Sequence, residues 1–71
     1  MTNTTNPDHA YLEGGPNDLP ERIVAISRPG HDVKIPLRNG YEHFRATARE
    51  TDSADGRLPV YEWFERTEAV S

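Results

Sequence analysis

The sequence predicts a mainly β fold: a small antiparallel meander or partial barrel of four to five strands, with at most one short helical turn. Three observations lead there. Polar and apolar residues alternate almost without fault through Asp32–Arg38, the period of a half-buried strand. Pro29-Gly30 and Asn39-Gly40 stand on either side of that run and are strong turn pairs. The final segment, Leu58–Thr67, is rich in aromatic and β-branched residues, which suit a pleated surface.

The elements follow in chain order. Residues 1–8 are rich in Thr and Asn without periodicity and read as a disordered tail, leaving 9–71 as a single small β domain. His9–Glu13 is a short edge strand ended by Gly14-Gly15-Pro16. Asn17–Glu21 reads as one helical turn, with Asp18 and Glu21 spaced as a capping box, and Leu19-Pro20 stops it from extending. Arg22–Arg28 is a strand, Pro29-Gly30 a type II turn, and Asp32–Arg38 the next strand. Asn39-Gly40 turns the chain into Tyr41–Glu50, Thr51–Gly56 forms a polar loop, and Leu58–Thr67 closes the sheet. Pro36 has no N–H to donate, so its amide must face solvent or a bulge.

Register follows from the turns. Asn39-Gly40 as the two central residues pairs Arg38 with Tyr41, Ile35 with Phe44 and Val33 with Ala46. A tight turn at Pro29-Gly30 pairs Ile26 with Val33 and Val24 with Ile35. Both turns place Val24, Ile26, Val33, Ile35, Leu37, Phe44, Ala46 and Ala48 on one face, an agreement that a one-residue slip destroys. The last strand leaves two registers open. One sets Phe44 against Trp63 and Ala46 against Tyr61; the other turns Leu58, Val60 and Phe64 inward. A helix over 60–70 starting at Pro59 is the third possibility.

Composition bounds the size and chemistry. The chain has 71 residues and no cysteine, so no disulfide or thiolate metal site can supplement a small core. Leu, Ile, Val and Phe supply 13 of the 71 residues, which leaves much of the burial to the aromatics. The net charge is −4 and the isoelectric point about 5.2, which argues against bulk attraction to nucleic acid or anionic membrane. No apolar run suffices to span a bilayer, and the N-terminus carries no basic or apolar block of the kind that directs export. The expectation is a soluble cytoplasmic protein with no membrane association.

Leu12-Glu-Gly-Gly-Pro16 followed by Leu19-Pro-Glu-Arg22, then Gly40-Tyr-Glu-His-Phe44, then Val60-Tyr-Glu-Trp63 ahead of Glu65-Arg-Thr67, form a distinctive set. Over residues 11–69 the chain resembles a small uncharacterised family of actinobacterial proteins, a domain of unknown function. The resemblance implies a genomic setting among specialised-metabolite genes, polyketide clusters included. It implies no chemistry and no catalytic residues.

The face opposite the apolar one carries Lys34, Arg38, Tyr41, His43, Arg45 and Arg49, the candidate site for an anionic ligand or a single-stranded nucleic acid. Tyr61, Trp63 and Phe64 are the candidate partner-binding residues, since Trp and Tyr are frequent interface anchors. His9, His31 and His43 lack the spacing of a zinc site, so neither a metal nor a cofactor is expected. His43 has a near-neutral reference pKa but no accompanying nucleophile motif, and Gly14-Gly15 lacks the frame of a phosphate-binding loop. These readings favour a non-catalytic accessory module that binds a protein partner or a second copy of itself, and the resemblance implies an association with specialised metabolism. The alternative is a binder of nucleic acid or a small anionic ligand.

Overall fold

The computed structural model describes residues 8–54 and 56–69. Its strands are β1 (Asp8–Glu13), β2 (Ile23–Ile26), β3 (Val33–Leu37), β4 (Gly40–Ser53) and β5 (Gly56–Glu68). They form one mixed sheet in the order β2-β1-β5-β4-β3, not closed into a barrel, and the described residues contain no helix. The all-β class expected from the sequence is therefore correct, but the simple meander is not. β1 is an internal strand, antiparallel to β2 and parallel to β5, with Leu12 opposite Tyr61.

One face of the sheet is apolar. Ala10, Leu12, Leu19, Ile26, Phe44 and Tyr61 form its buried cluster, with Val24, Val33, Ile35, Leu37, Ala46 and Trp63 packed against them. All but Leu19 alternate along the strands, as period-two patterning requires. Seven of the eight residues assigned to this face from sequence lie there. The eighth, Ala48, is exposed, because β4 bulges beyond Ala46: three β4 residues there oppose a single β5 residue. Thr47 holds the bulge, its Oγ1 donating to the Val60 carbonyl at 2.6 Å and accepting the Arg49 N–H at 3.1 Å.

The expected pairing of Ile26 with Val33 and Val24 with Ile35 does not occur, since β2 and β3 occupy opposite edges of the sheet. The Pro29-Gly30 turn itself forms: the His31 N–H donates to the Arg28 carbonyl at 3.1 Å, and Gly30 has φ +89°, a value suited to glycine in a type II turn. Yet the flanking segment is a crossing loop, anchored where the Gly30 N–H donates to the Tyr61 hydroxyl at 2.9 Å. That bond ties the loop to a central strand instead of zipping two neighbours together.

The other hairpin is shifted. Its central residues are Arg38 (φ +50°) and Asn39 (φ +65°), so Leu37 pairs with Gly40 and Ile35 with Glu42. Lys34 consequently lies opposite His43, whereas a turn centred on Asn39-Gly40 would set it opposite Arg45, cation against cation. Moving the turn by one residue changes each partner by two and preserves the faces. Gly40 is required for space: a Cβ there would stand 2.7 Å from the Thr67 carbonyl oxygen and 2.6 Å from Arg66 Nη2.

β4 and β5 run past the expected polar loop, pairing as far as Ser53 with Gly56. Of the two registers left open, the structure adopts Phe44 opposite Trp63 and Ala46 opposite Tyr61, and the helix over 60–70 does not form. Asn17-Asp18 is a turn and not a helical cap; the Asp18 carboxylate pairs with Arg38. Asp8, assigned to the tail, opens β1, and the other seven tail residues lie outside the described residues.

Candidate functional site

A carboxylate lies at the edge of the apolar face. Glu42 shares the parity of Phe44 and Ala46 and is only 3% exposed. A buried charge requires partners. Glu42 has two: the Trp63 indole N–H donates to Oε1 at 2.7 Å, and Arg66 Nη1 donates to Oε2 at 2.6 Å. Burial pushes its pKa up, but these hydrogen bonds and the charges of Arg66 and Arg38 prevail, holding it below the usual carboxylate value.

The arrangement depends on a second bulge. His43 pairs with Glu65 whereas Phe44 pairs with Trp63, so Phe64 is an extra residue in β5. Strict alternation would put Trp63 and Arg66 on opposite faces. The inserted residue restores parity, and both reach Glu42.

Arg66 is further fixed by the Leu37 and Arg38 carbonyls at 3.1 and 3.0 Å and by Glu68 Oε2 at 2.7 Å. The Glu68 and Glu42 carboxylates raise its pKa, so it is a permanent cation. Across the indole lies Gly15, where a Cβ would fall 2.8 Å from Trp63 Cδ1. The Gly14-Gly15-Pro16 bend is held by Arg22, whose guanidinium donates to the carbonyls of Leu12, Gly14 and Pro16 at 3.1, 2.6 and 2.8 Å. Between these groups opens a shallow cleft of about 610 Å³, lined by Gly15, Pro16, Arg38, Glu42, Trp63 and Arg66. Each sequence motif that carries the family resemblance contributes to this region: Gly15 and Pro16, Arg22, Glu42, Trp63 and Arg66.

The model of a family of unknown function, DUF5988, matches residues 4–69. The chain belongs to that family. No curated protein and no solved structure gives a significant match.

For this DUF5988 member, the residues singled out from sequence separate into different environments. Tyr61 is buried at 1% exposure, with its hydroxyl occupied by Gly30, whereas half-buried Trp63 borders the cleft. Phe64 faces the other side of the sheet, with the Arg45 guanidinium 4.3 Å from its ring centroid and the His43 ring 6.0 Å away. His43 Nε2 is hydrogen-bonded to Thr67 Oγ1 at 2.7 Å, and Lys34 Nζ lies 4.7 Å from the Tyr41 ring centroid. Lys34, Tyr41, His43 and Arg45 thus share the outer face. Arg38 instead pairs with Asp18 at the cleft rim, and Arg49 binds Glu13 through two bonds of 2.5 and 3.1 Å.

Arg66 and Arg22 were not among the sequence candidates, and Glu42 was not assigned to a binding or catalytic site. For Glu42 the signal was present, since a carboxylate two residues before Phe44 falls on the apolar face and must be paired. For Arg66 the bulge concealed it. Among the described residues no group of three His, Asp or Glu side chains could hold a metal ion, and no helix is long and apolar enough to cross a membrane.

Proposed function

We propose that the chain is a non-catalytic protein-binding module whose contact site is the cleft beside Trp63. The observation that carries this reading is the convergence of the motif residues on an open, part-aromatic depression. Trp63 and Pro16 offer an apolar floor, and Arg38 provides a cation at its rim. This chemistry suits an extended partner segment with an apolar side chain for the floor and a carboxylate for Arg38, which can exchange its exposed Asp18 partner at little cost. Glu42 and Arg66 are locked in hydrogen bonds, an arrangement suited to shaping a surface more than to transferring protons. The resemblance to proteins encoded among specialised-metabolite genes makes a biosynthetic enzyme the first class of partner to test.

The experiment is cross-linking and mass spectrometry in the native host with the full chain and with Arg38→Glu, whose fold is verified by circular dichroism. A partner cross-linked at the cleft and lost from the variant supports the reading; equal recovery with both chains refutes it. A second reading, anionic-ligand binding on the outer face, is favoured by one observation: Lys34 and Arg45 form no ion pair among the described residues. It predicts binding that weakens with salt and with Arg45→Ala.

A further inference from the structure

The segment between β2 and β3 is pinned at its tip. The His31 N–H donates to the Arg28 carbonyl at 3.1 Å, closing the Pro29-Gly30 turn, and the Gly30 N–H donates to the Tyr61 hydroxyl at 2.9 Å. Arg28 and His31 are the first and last residues of that turn, so their Cα atoms lie within about 7 Å of each other. Residues on both arms of the turn line one cavity of about 350 Å³, a volume in the range of small-molecule sites. Its polar lining is Ser27 and Arg28 on the arm leaving β2, and His31, Asp32 and Lys34 on the arm that becomes β3.

Charge pairing sets this cavity apart. The chain has eight Lys and Arg against twelve Asp and Glu, so carboxylates are in excess. Arg38, Arg49, Arg57 and Arg66 each hold one, and Arg22 holds three carbonyls. Arg28 and Lys34 have no carboxylate or carbonyl partner among the described residues, and both line this cavity. The His31 ring and the Ser27 hydroxyl add further donors. The charged acceptor on the wall is Asp32, which forms no ion pair among the described residues either.

We propose that this cavity binds a small phosphorylated polyol. A phosphate monoester brings a charge of about −1.5 to −2 and three acceptor oxygens, a match for a guanidinium fork, an ammonium, an imidazole and a hydroxyl converging from two arms. A carboxylate brings half the charge and two oxygens. Asp32 selects the rest of the ligand: it repels a bare anion and accepts from a hydroxyl, so the molecule that satisfies the whole wall carries both groups. The volume leaves space beside the phosphate for that hydroxylated part. The site is distinct from the outer-face strip. It uses Lys34 but not Arg45, whose guanidinium stacks on Phe64 and does not line the cavity.

The test is an NMR titration of the full chain at constant ionic strength with inorganic phosphate, glycerol phosphate and glycerol. The expected result is saturable shifts at the Ser27, Arg28, His31 and Asp32 amides, with glycerol phosphate binding about tenfold tighter than inorganic phosphate and glycerol not binding. Arg28→Gln and Lys34→Gln each weaken glycerol phosphate about tenfold, whereas Arg45→Gln leaves it within about twofold. Asp32→Asn abolishes the preference for glycerol phosphate over inorganic phosphate. A phosphoserine peptide, another source of the same phosphate chemistry, binds no tighter than inorganic phosphate. The proposal is overturned by an absence of saturable shifts, by binding indifferent to Arg28→Gln and Lys34→Gln, or by binding lost with Arg45→Gln. Equal affinity for the two small phosphates overturns it as well, as does a phosphoserine peptide that outbinds glycerol phosphate.

Discussion

Replacing Glu42 by Gln retains the side chain's size and removes its charge. In the native chain both oxygens are occupied, Oε1 by the Trp63 indole N–H at 2.7 Å and Oε2 by Arg66 Nη1 at 2.6 Å. Glutamine has one acceptor oxygen and a donor amide, so either the indole or the guanidinium faces another donor. Breaking a buried ion pair from one side typically costs about 3–5 kcal/mol. The Arg66 side chain is 27% exposed and keeps Glu68 at 2.7 Å, which places the Glu42 substitution at the lower end, about 3 kcal/mol. For a domain this small that corresponds to a fall in Tm of about 12–24 °C. The chain's one tryptophan reports directly on the site, so thermal unfolding followed by Trp63 fluorescence is the assay, with circular dichroism as the second probe. Adding Arg66→Met to Glu42→Gln costs less than Arg66→Met alone, because the guanidinium has already lost its buried partner. A Glu42→Gln variant that melts within about 2 °C of the native chain refutes the reasoning, the threshold being well below 1 kcal/mol.

Three further outcomes are expected. Gly15→Ala forces a Cβ to 2.8 Å from Trp63 Cδ1 at a φ of +77°, and lowers stability by about 2 kcal/mol in chemical denaturation. Tyr61→Phe removes the acceptor of the Gly30 N–H, costs about 1 kcal/mol, and accelerates amide hydrogen exchange selectively in the loop between β2 and β3. Acid destabilises the fold: hydrogen bonds and charge from Arg66 and Arg49 hold the folded pKa values of Glu42, Glu13 and Glu68 below the ordinary carboxylate value of about 4.5, so below that pH the unfolded chain binds more protons. Their contribution is complete above about 4.5 and disappears as pH falls through the folded values, which a pH series of denaturant midpoints measures.

The faces were legible in the sequence, as was the run of β3, β4 and β5 as neighbours, but the places of β1 and β2 were not. Alternation assigns Val33, Ile35, Leu37, Phe44 and Ala46 to one side whatever their partners, because parity is a local property. Which strand lies beside which is a global property. The Pro29-Gly30 turn was read correctly, but nothing local reveals that Gly30 is held by a tyrosine hydroxyl 31 residues later. The same limit hid the parallel pairing of β1 with β5. Asn39-Gly40 misled in an informative way: glycine there reads as a demand for positive φ, whereas Gly40 is needed because Thr67 and Arg66 approach so closely. The candidate site was half visible. Trp63 stood out as an anchor, and Glu42 could have been found by parity, but Arg66 reaches it only because Phe64 is inserted into β5.

The cleft depends on that inserted residue, which brings Trp63 and Arg66 to the same carboxylate. The direct measurement is an NMR pH titration following the Trp63 indole N–H together with its NOE contacts. The expected result is a slowly exchanging indole proton with contacts to the Glu42 side-chain methylenes, its shift moving only below pH 4.5 as that carboxylate protonates. A freely exchanging indole proton, in contact with Arg45 or His43 and indifferent to acid, would mean that β5 runs without the bulge and that the cleft does not exist.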